Sequence, residues 1–341
     1  MTGITSDWLQ FLHDEGIDAG GESAAPDIGD GFIAPLTHLG IIAASGEDAA
    51  GFLHSQLSND IEHLDAAHAR LAAYCSPKGR MLASLLIWRQ GDSIMLQLPR
   101  EIQAPIQKRL QMFVLRSKVK LTDVSETTAS IGFVGAACDQ LAALAEVSLP
   151  EAVYGKAGSD AGCVIRMPDA EGKRRYLWIT DAQRAFECRA LLSPRLAAPA
   201  AWRRLDIAAG LPMIVQATQE KFVPQMVNFE LIGGVNFRKG CYPGQEIVAR
   251  SQYLGKLKRR MLPADIVGAV ATPGTDVYAS SDPDQPSGMI VNAEPLPDGG
   301  SATLVELKIA VLEQDVTLHL GAADGPQIRI LPLPYSLTET V

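Results

Sequence analysis

Apolar residues at helical spacing open the chain. Trp8, Phe11 and Leu12 stand at i, i+3 and i+4 within residues 6–15, with Gly16 behind them, which predicts a short amphipathic helix. Residues 17–31 are small, polar and glycine-rich, the composition of a flexible linker. A first compact unit is expected from Phe32. Ser45 and Asp48 read as a capping box ahead of an apolar stripe of Ala49, Phe52, Leu53 and Leu57. Strand-length runs follow at 71–75, 81–89 and 94–98. The turn residues Ser76-Pro77-Lys78-Gly79 and Gln90-Gly91-Asp92-Ser93 separate them. Ile102, Ile106, Leu110 and Phe113 then define a helix whose first turn Pro105 is expected to mark.

The same alternation repeats. Residues 129–134 read as a strand, 136–145 as a helix, and 163–167 and 176–179 as strands around an Asp169-Ala170-Glu171-Gly172 turn. Thr180 and Gln183 form an expected capping box for a helix reaching Leu192. This order predicts an α+β unit of ferredoxin-like type. Residues 193–201 read as a linker and 202–209 as a short helix stopped by Gly210 and Pro212. From 261 to 341, Pro and Gly punctuate alternating runs such as Val316, Leu318, Leu320 and Ile328, Ile330, the pattern of a small β-barrel.

Composition narrows the function classes. The chain has 341 residues, 47% hydrophobic and 20% charged, which suits an ordinary globular protein of two or three domains. Its net charge of −9 disfavours a chain-wide nucleic-acid coat. No run of about 20 apolar residues predicts a membrane span, and residues 1–16 lack a secretory h-region, so a cytoplasmic protein without membrane contact is expected. Cys75, Cys138, Cys163, Cys188 and Cys241 are scattered and form no CxxC pair, so neither a disulfide framework nor a zinc site is expected. His63 and His68, five apart, share no helix face and read as solvated residues. Phosphate-cradling and hydrolase motifs are absent from the sequence.

Candidate chemistry concentrates between Asn228 and Arg260. Its centre is Lys239-Gly240-Cys241-Tyr242-Pro243-Gly244-Gln245-Glu246, where two glycines and a proline imply a tight loop bringing backbone N–H groups close to a ligand. Residues 238–260 hold seven Lys/Arg and one Asp/Glu, so this window is +6 and the remainder of the chain −15. Lys239 beside Cys241 can stabilise a thiolate. Gln245 and Glu246 offer polar groups suited to a planar heterocycle, and Tyr242 could stack on one or serve as a core residue. Arg250 could bind an anion or pair with Glu246 across i, i+4. Cys75, followed by Lys78 and Arg80, makes a second cysteine-plus-cations candidate.

This octapeptide, with Asn228 before it and Ile247-Val248-Ala249-Arg250 after it, resembles the signature of the YgfZ family, folate-binding proteins linked to tRNA modification and iron–sulfur cluster maintenance. Gln56-Leu57-Ser58-Asn59-Asp60, Cys75-x-x-Lys78-Gly79-Arg80, Ala209-Gly210-Leu211-Pro212 and Pro224-Gln225 agree with it, from about Ala34 to the C-terminus. The resemblance implies the ring of the related aminomethyltransferases, the T-proteins of glycine cleavage. Two interleaved ferredoxin-like α+β units and a C-terminal β-barrel would surround a channel for tetrahydrofolate. The expected divisions are 1–31, 32–260 and 261–341. Two departures stand out. The paired aspartates of T-proteins are matched by Ala83 and Ser84, which leaves aminomethyl transfer without its carboxylate. A glutamate expected ahead of Ala209 is Ala208, so Asp206 or Glu246 would have to substitute.

The expected function is therefore folate binding in support of iron–sulfur cluster assembly or repair, and thereby tRNA modification, with iron–sulfur enzymes or assembly proteins as partners. Cys241 is expected as the functional thiol and Lys239 as its electrostatic partner. Asn228, Tyr242, Gln245, Glu246 and Arg250 are expected as folate contacts. Folate-dependent one-carbon transfer is the alternative. Lys256, Lys258, Arg259 and Arg260 form a basic stripe that could meet RNA, a folate glutamate tail, or only water. Cys75 and Cys241 together could also ligate a cluster, given further ligands.

Overall fold

A computed structural model of the chain describes residues 7–17, 29–253, 257–314 and 316–337. Residues 18–28 of the expected linker, and Lys256, lie outside the described residues. In chain order the first elements are α1 (Asp7–Asp14), β1 (Gly31–Pro35), β2 (Leu39–Ser45), α2 (Ala49–Gln56), β3 (Ala69–Cys75), β4 (Met81–Gln90), β5 (Ser93–Pro99), α3 (Arg100–Gln111), β6 (Lys120–Asp123), β7 (Thr128–Gly135) and α4 (Leu141–Ala145). Then come β8 (Lys156–Ser159), β9 (Gly162–Ala170), β10 (Lys173–Asp181), α5 (Ala182–Glu187), α6 (Arg189–Leu192), α7 (Pro199–Ala208) and α8 (Gln245–Tyr253). The last are β11 (Arg259–Ile266), β12 (Asp276–Ala279), β13 (Gly288–Pro295), β14 (Ser301–Lys308), α9 (Ile309–Leu312), β15 (Leu318–Leu320) and β16 (Gln327–Ile330).

The chain divides into two compact units that alternate along the sequence. One takes Met1–Ala49, Leu64–Arg70 and Leu86–Arg203, the other Ala50–His63, Leu71–Leu85 and Arg204–Val341. In the first, an antiparallel sheet runs β1-β7-β10-β9-β8. The predicted stripe of α1 is real: Trp8 and Leu12 are buried in one core with Ile131, Phe133, Val164 and Trp178. The outer half of β4 continues a second sheet through β5, β2 and β6.

Local chemistry shifts several boundaries. Ser45 ends β2 instead of capping a helix, α2 starts at Ala49, and the Asp48 carboxylate accepts the Lys118 N–H at 2.7 Å. Helix α3 begins at Arg100, so Pro105 sits in its interior and forfeits only the bond to the Glu101 carbonyl. Asp181, not Thr180, caps α5 by accepting the Gln183 N–H at 2.8 Å, while the buried Thr180 hydroxyl donates to the Ala161 carbonyl. Asp outranks Thr as an N-cap. The expected 136–145 helix is a 3-10 turn followed by the short α4. The expected linker at 193–201 already contains the start of α7.

In the second unit β3 and the inner half of β4 form a hairpin, and Cys75, Met81, Ile214, Phe222, Phe229 and Val248 share a core. The C-terminal region closes a six-stranded barrel, β11-β14-β13-β12-β15-β16. Its alternating residues point inward as predicted: Leu318 and Ile328 are buried, and Val316, Leu320 and Ile330 pack against the same core. Among the described residues no helix is long and apolar enough to cross a membrane.

Candidate functional site

Two glycine turns, far apart in sequence, meet in the second unit. The Ser76–Gly79 turn joins β3 to β4 and closes with the Gly79 N–H donating to the Ser76 carbonyl at 2.9 Å. The other turn, at Pro243-Gly244, leads into α8. Gly244 has φ +81, and a Cβ there would lie 2.4 Å from the Ser76 carbonyl oxygen and 2.6 Å from both Cα and N of Gly79. Gly79 has φ +71, and its own Cβ would lie 2.8 Å from Cβ of Ile247. Only residues without side chains allow this backbone-to-backbone approach. The Cys75–Arg80 and Lys239–Glu246 motifs are therefore two halves of one structure.

The loop so held presents Cys241 at the surface. Lys239 lies partly buried beneath it. Its ammonium donates to the Leu57 carbonyl at 2.8 Å and to the His54 carbonyl, at the C-terminal end of α2 where a cation is favoured. The same nitrogen stands 4.9 Å over the Tyr242 ring. Burial lowers the Lys239 pKa to about 8, opposed by the nearby carboxylates of Asp60 and Glu62. At neutral pH the site thus retains a fixed cation beside the thiol.

Next to Lys239 lies a pair that sequence spacing did not single out. His54 Nδ1 is 3.1 Å from Asp60 Oδ1, with side chains 14% and 18% exposed. Asp60 also receives His63 Nδ1 at 2.8 Å. His54 Nε2 faces the loop, 3.6 Å from where a Cβ on Gly240 would stand. The Gln56–Asp60 stretch is tied to the approach of the loop: Ser58 donates to the Gly234 carbonyl at 2.6 Å and Asn59 to that of Gly233 at 2.7 Å. Asp60 did fall inside a motif of the family resemblance; His54 carried no signal beyond its residue type.

The remaining expected contacts separate. Asn228 is buried at φ +58, and its amide is spent on the barrel edge, donating to the Met261 carbonyl at 2.8 Å and to the Tyr335 hydroxyl at 3.3 Å. Tyr242 is a core residue whose buried hydroxyl has no partner among the described residues and whose pKa burial raises. Glu246 and Arg250 form an exposed i, i+4 pair at 3.0 Å. Gln245 is half-buried at the start of α8, and its side-chain amide has no hydrogen-bond partner among the described residues.

Other expectations change. Cys75 is no second reactive site: burial in the aliphatic core pushes its thiol up to about 12. Among the described residues no group of three or more His, Cys, Asp or Glu could hold a metal ion. His63 and His68 each engage a different aspartate, Asp60 and Asp65. The basic stripe dissolves too. Arg260 is buried, with Nη1 2.5 Å from Glu230 Oε1 and 2.9 Å from the Gln225 carbonyl, and Arg259 pairs with the buried Glu306 at 2.7 Å. Lys258 remains exposed. At the positions matching the T-protein aspartates, Ala83 is buried and the Ser84 hydroxyl accepts the Ile214 N–H at 3.0 Å. Ala208 ends α7 and offers no carboxylate.

No protein-family profile matches the chain. It is 30% identical over 307 residues to the tRNA-modifying protein YgfZ of Photorhabdus laumondii subsp. laumondii, covering 89% of this chain and 92% of that one. It is 32% identical over 307 residues to the protein of the same name from Edwardsiella ictaluri, covering 86% and 89%. Among solved structures, the glycine cleavage system aminomethyltransferase T from Bartonella henselae superposes with a TM-score of 0.73 at 15% identity, over 96% of both chains. That likeness establishes a shared α+β fold ending in a β-barrel.

Proposed function

Since this chain belongs to the YgfZ family, we propose that it is a folate-binding protein that supports iron–sulfur cluster assembly or repair, and thereby tRNA modification, through an exposed Cys241. The observation that carries the proposal is the Gly79–Gly244 contact. It holds a surface thiol beside a cation that is itself anchored on the end of a helix. A thiol placed this way serves as a nucleophile or a transient ligand; a structural cysteine would be buried. The iron–sulfur cluster is cargo or client in this reading, since no protein-only metal set is present among the described residues. Relatives that carry the name tRNA-modifying protein support the tRNA part, and the fold shared with an aminomethyltransferase supports the folate part. The Gln245 amide, without a partner among the described residues, is one the loop can offer a ligand.

One-carbon transfer has less support. Ala83 and Ser84 supply no carboxylate, and the Ser84 hydroxyl is already engaged. Calorimetry of reduced folate with wild type and Cys241→Ala, joined to a cluster-dependent tRNA methylthiolation assay in a deletion strain, tests the proposal. Wild type should bind and restore methylthiolation, and Cys241→Ala should bind but fail to restore it. Normal methylthiolation in the deletion strain, or full rescue by Cys241→Ala, would refute the cellular role.

A further inference from the structure

We propose that the outward face of α3, together with the 112–116 turn that follows it, is a docking site for an acidic, amphipathic segment of a partner protein. Every residue involved lies within the first unit, and neither Cys241 nor folate takes part.

Helix α3 spends its apolar side inward, where Ile102, Ile106 and Leu110 are buried. The opposite side is open. There Ala104, Gln107, Lys108, Gln111 and Met112, at i, i+3, i+4, i+7 and i+8, line a groove of about 450 Å³. Where the helix ends, the large apolar side chains do not return to the core. Met112 is 60% exposed, Phe113 47% and Leu115 85%. A single exposed leucine needs no explanation, but three such residues within four positions form a patch. The same stretch is basic: residues 108–120 hold five Lys/Arg and no Asp/Glu. Arg109 is half-buried, and Lys118 pairs with Glu47. Lys108, Arg116 and Lys120 are exposed and have no ion-pair partner among the described residues.

A groove flanked by unpaired cations and bare aliphatic side chains selects its occupant. Apolar residues along one face of a partner helix fill the groove and cover Met112 and Leu115, while carboxylates on its other face answer the three cations. Lipid suits the surface less well. A helix that lies on a membrane turns its apolar face to the bilayer, but the apolar face of α3 is already in the core and its outer face is polar. RNA suits it less well too. Single strands are held by stacking on aromatic rings, and Phe113 is the one aromatic residue from 104 to 120, less exposed than Met112 or Leu115.

The test uses the full chain and a fluorescein-labelled peptide of about 16 residues, with leucines at helical spacing on one face and glutamates on the other. Fluorescence anisotropy follows its binding. A second peptide has the same composition in scrambled order. The patterned peptide is expected to bind about tenfold or more tightly than the scrambled one. Leu115→Ser and Arg116→Glu should each weaken it about fivefold or more, and raising salt from about 50 to about 300 mM should weaken it more for the parent than for Arg116→Glu. Leu191→Ser alters another exposed leucine of the same unit and should leave the affinity within about twofold. All three substituted side chains are exposed, and the tryptophans of the first unit report that it stays folded. Equal affinity for the two peptides, or an affinity that Leu115→Ser does not change, would mean charge attraction alone and overturns the proposal. So does an absence of binding up to about 1 mM. Parallel titrations use vesicles with about 30% phosphatidylserine and a single-stranded RNA of about 20 nucleotides. If either binds more tightly than the patterned peptide and Leu115→Ser releases it, the surface serves lipid or RNA and the proposal fails.

Discussion

Replacing Gly244 by alanine puts the central contact of the site under direct strain. The new Cβ would stand 2.4 Å from the Ser76 carbonyl oxygen and 2.6 Å from two backbone atoms of Gly79, with nothing but main chain to give way. The φ of +81 adds about 1–2 kcal/mol for an L-residue in left-handed backbone. Pushing two turns apart adds about 1–3 kcal/mol, the cost of overpacking a closed interior. A total near 3 kcal/mol corresponds to a loop that opens about a hundredfold more often. The assay must read the correct unit. Trp8, Trp88, Trp178 and Trp202 all belong to the first, so fluorescence is blind to the change. Hydrogen–deuterium exchange of peptides covering 73–85 and 240–253 reports it. Gly240→Ala is the matched control, because its Cβ meets only His54 Nε2 at an ordinary 3.6 Å. Its exchange should stay within about threefold of wild type. If Gly244→Ala also stays within that range, the turn-to-turn contact does not hold the loop.

Two ion pairs should behave oppositely. Glu230→Ala leaves Arg260 charged and buried, 7% exposed, and should cost about 3–5 kcal/mol in urea unfolding followed by circular dichroism, while Glu246→Ala in the exposed pair should cost under about 0.5 kcal/mol. A small loss for Glu230→Ala would contradict the buried pairing. The Lys239 pKa is lowered from 10.5 to about 8 chiefly by burial, so between these values the unfolded chain binds the extra proton. Wild-type stability should therefore rise from about pH 8 to 10.5 relative to Lys239→Met; a constant difference between the two urea midpoints over that span would count against it. Iodoacetamide under native conditions, read by peptide mass spectrometry, should label Cys241 first and spare Cys75 and Cys163, whose thiols burial pushes up to about 12. Early labelling of Cys75 would show that the core around it opens.

Periodicity carried the fold where burial is one-sided. The stripe of Trp8, Phe11 and Leu12, the strand runs of the first unit and the alternation of the barrel all appear in place. Errors fell where two local options compete and tertiary partners decide. Ser45 lost its capping role because the chain pairs in β2 to that residue, and Thr180 lost to its neighbour because its hydroxyl is buried against the Ala161 carbonyl. The thiol loop was legible because its glycines, cation and cysteine lie within a few residues. Arg259 and Arg260 were misread because their acids, Glu306 and Glu230, lie 47 and 30 positions away. His54 stayed hidden for the same reason: its place beside the loop exists only after α2 is fastened to Lys239 across 185 residues. Charge counted along a window cannot distinguish a solvated arginine from one matched inside the molecule.

The meeting of Gly79 with Gly244 also has a consequence for biosynthesis. A ribosome adding about 5–20 residues per second needs roughly 8–33 seconds to pass from the first turn to the second. Throughout that interval β3 and β4 stand in the cell without the strap that will cover their connecting bend. Premature termination anywhere in between leaves a product that has the Ser76–Gly79 turn and lacks Cys241. Quality control acting on such fragments would meet a hairpin tip that its covering turn never reaches.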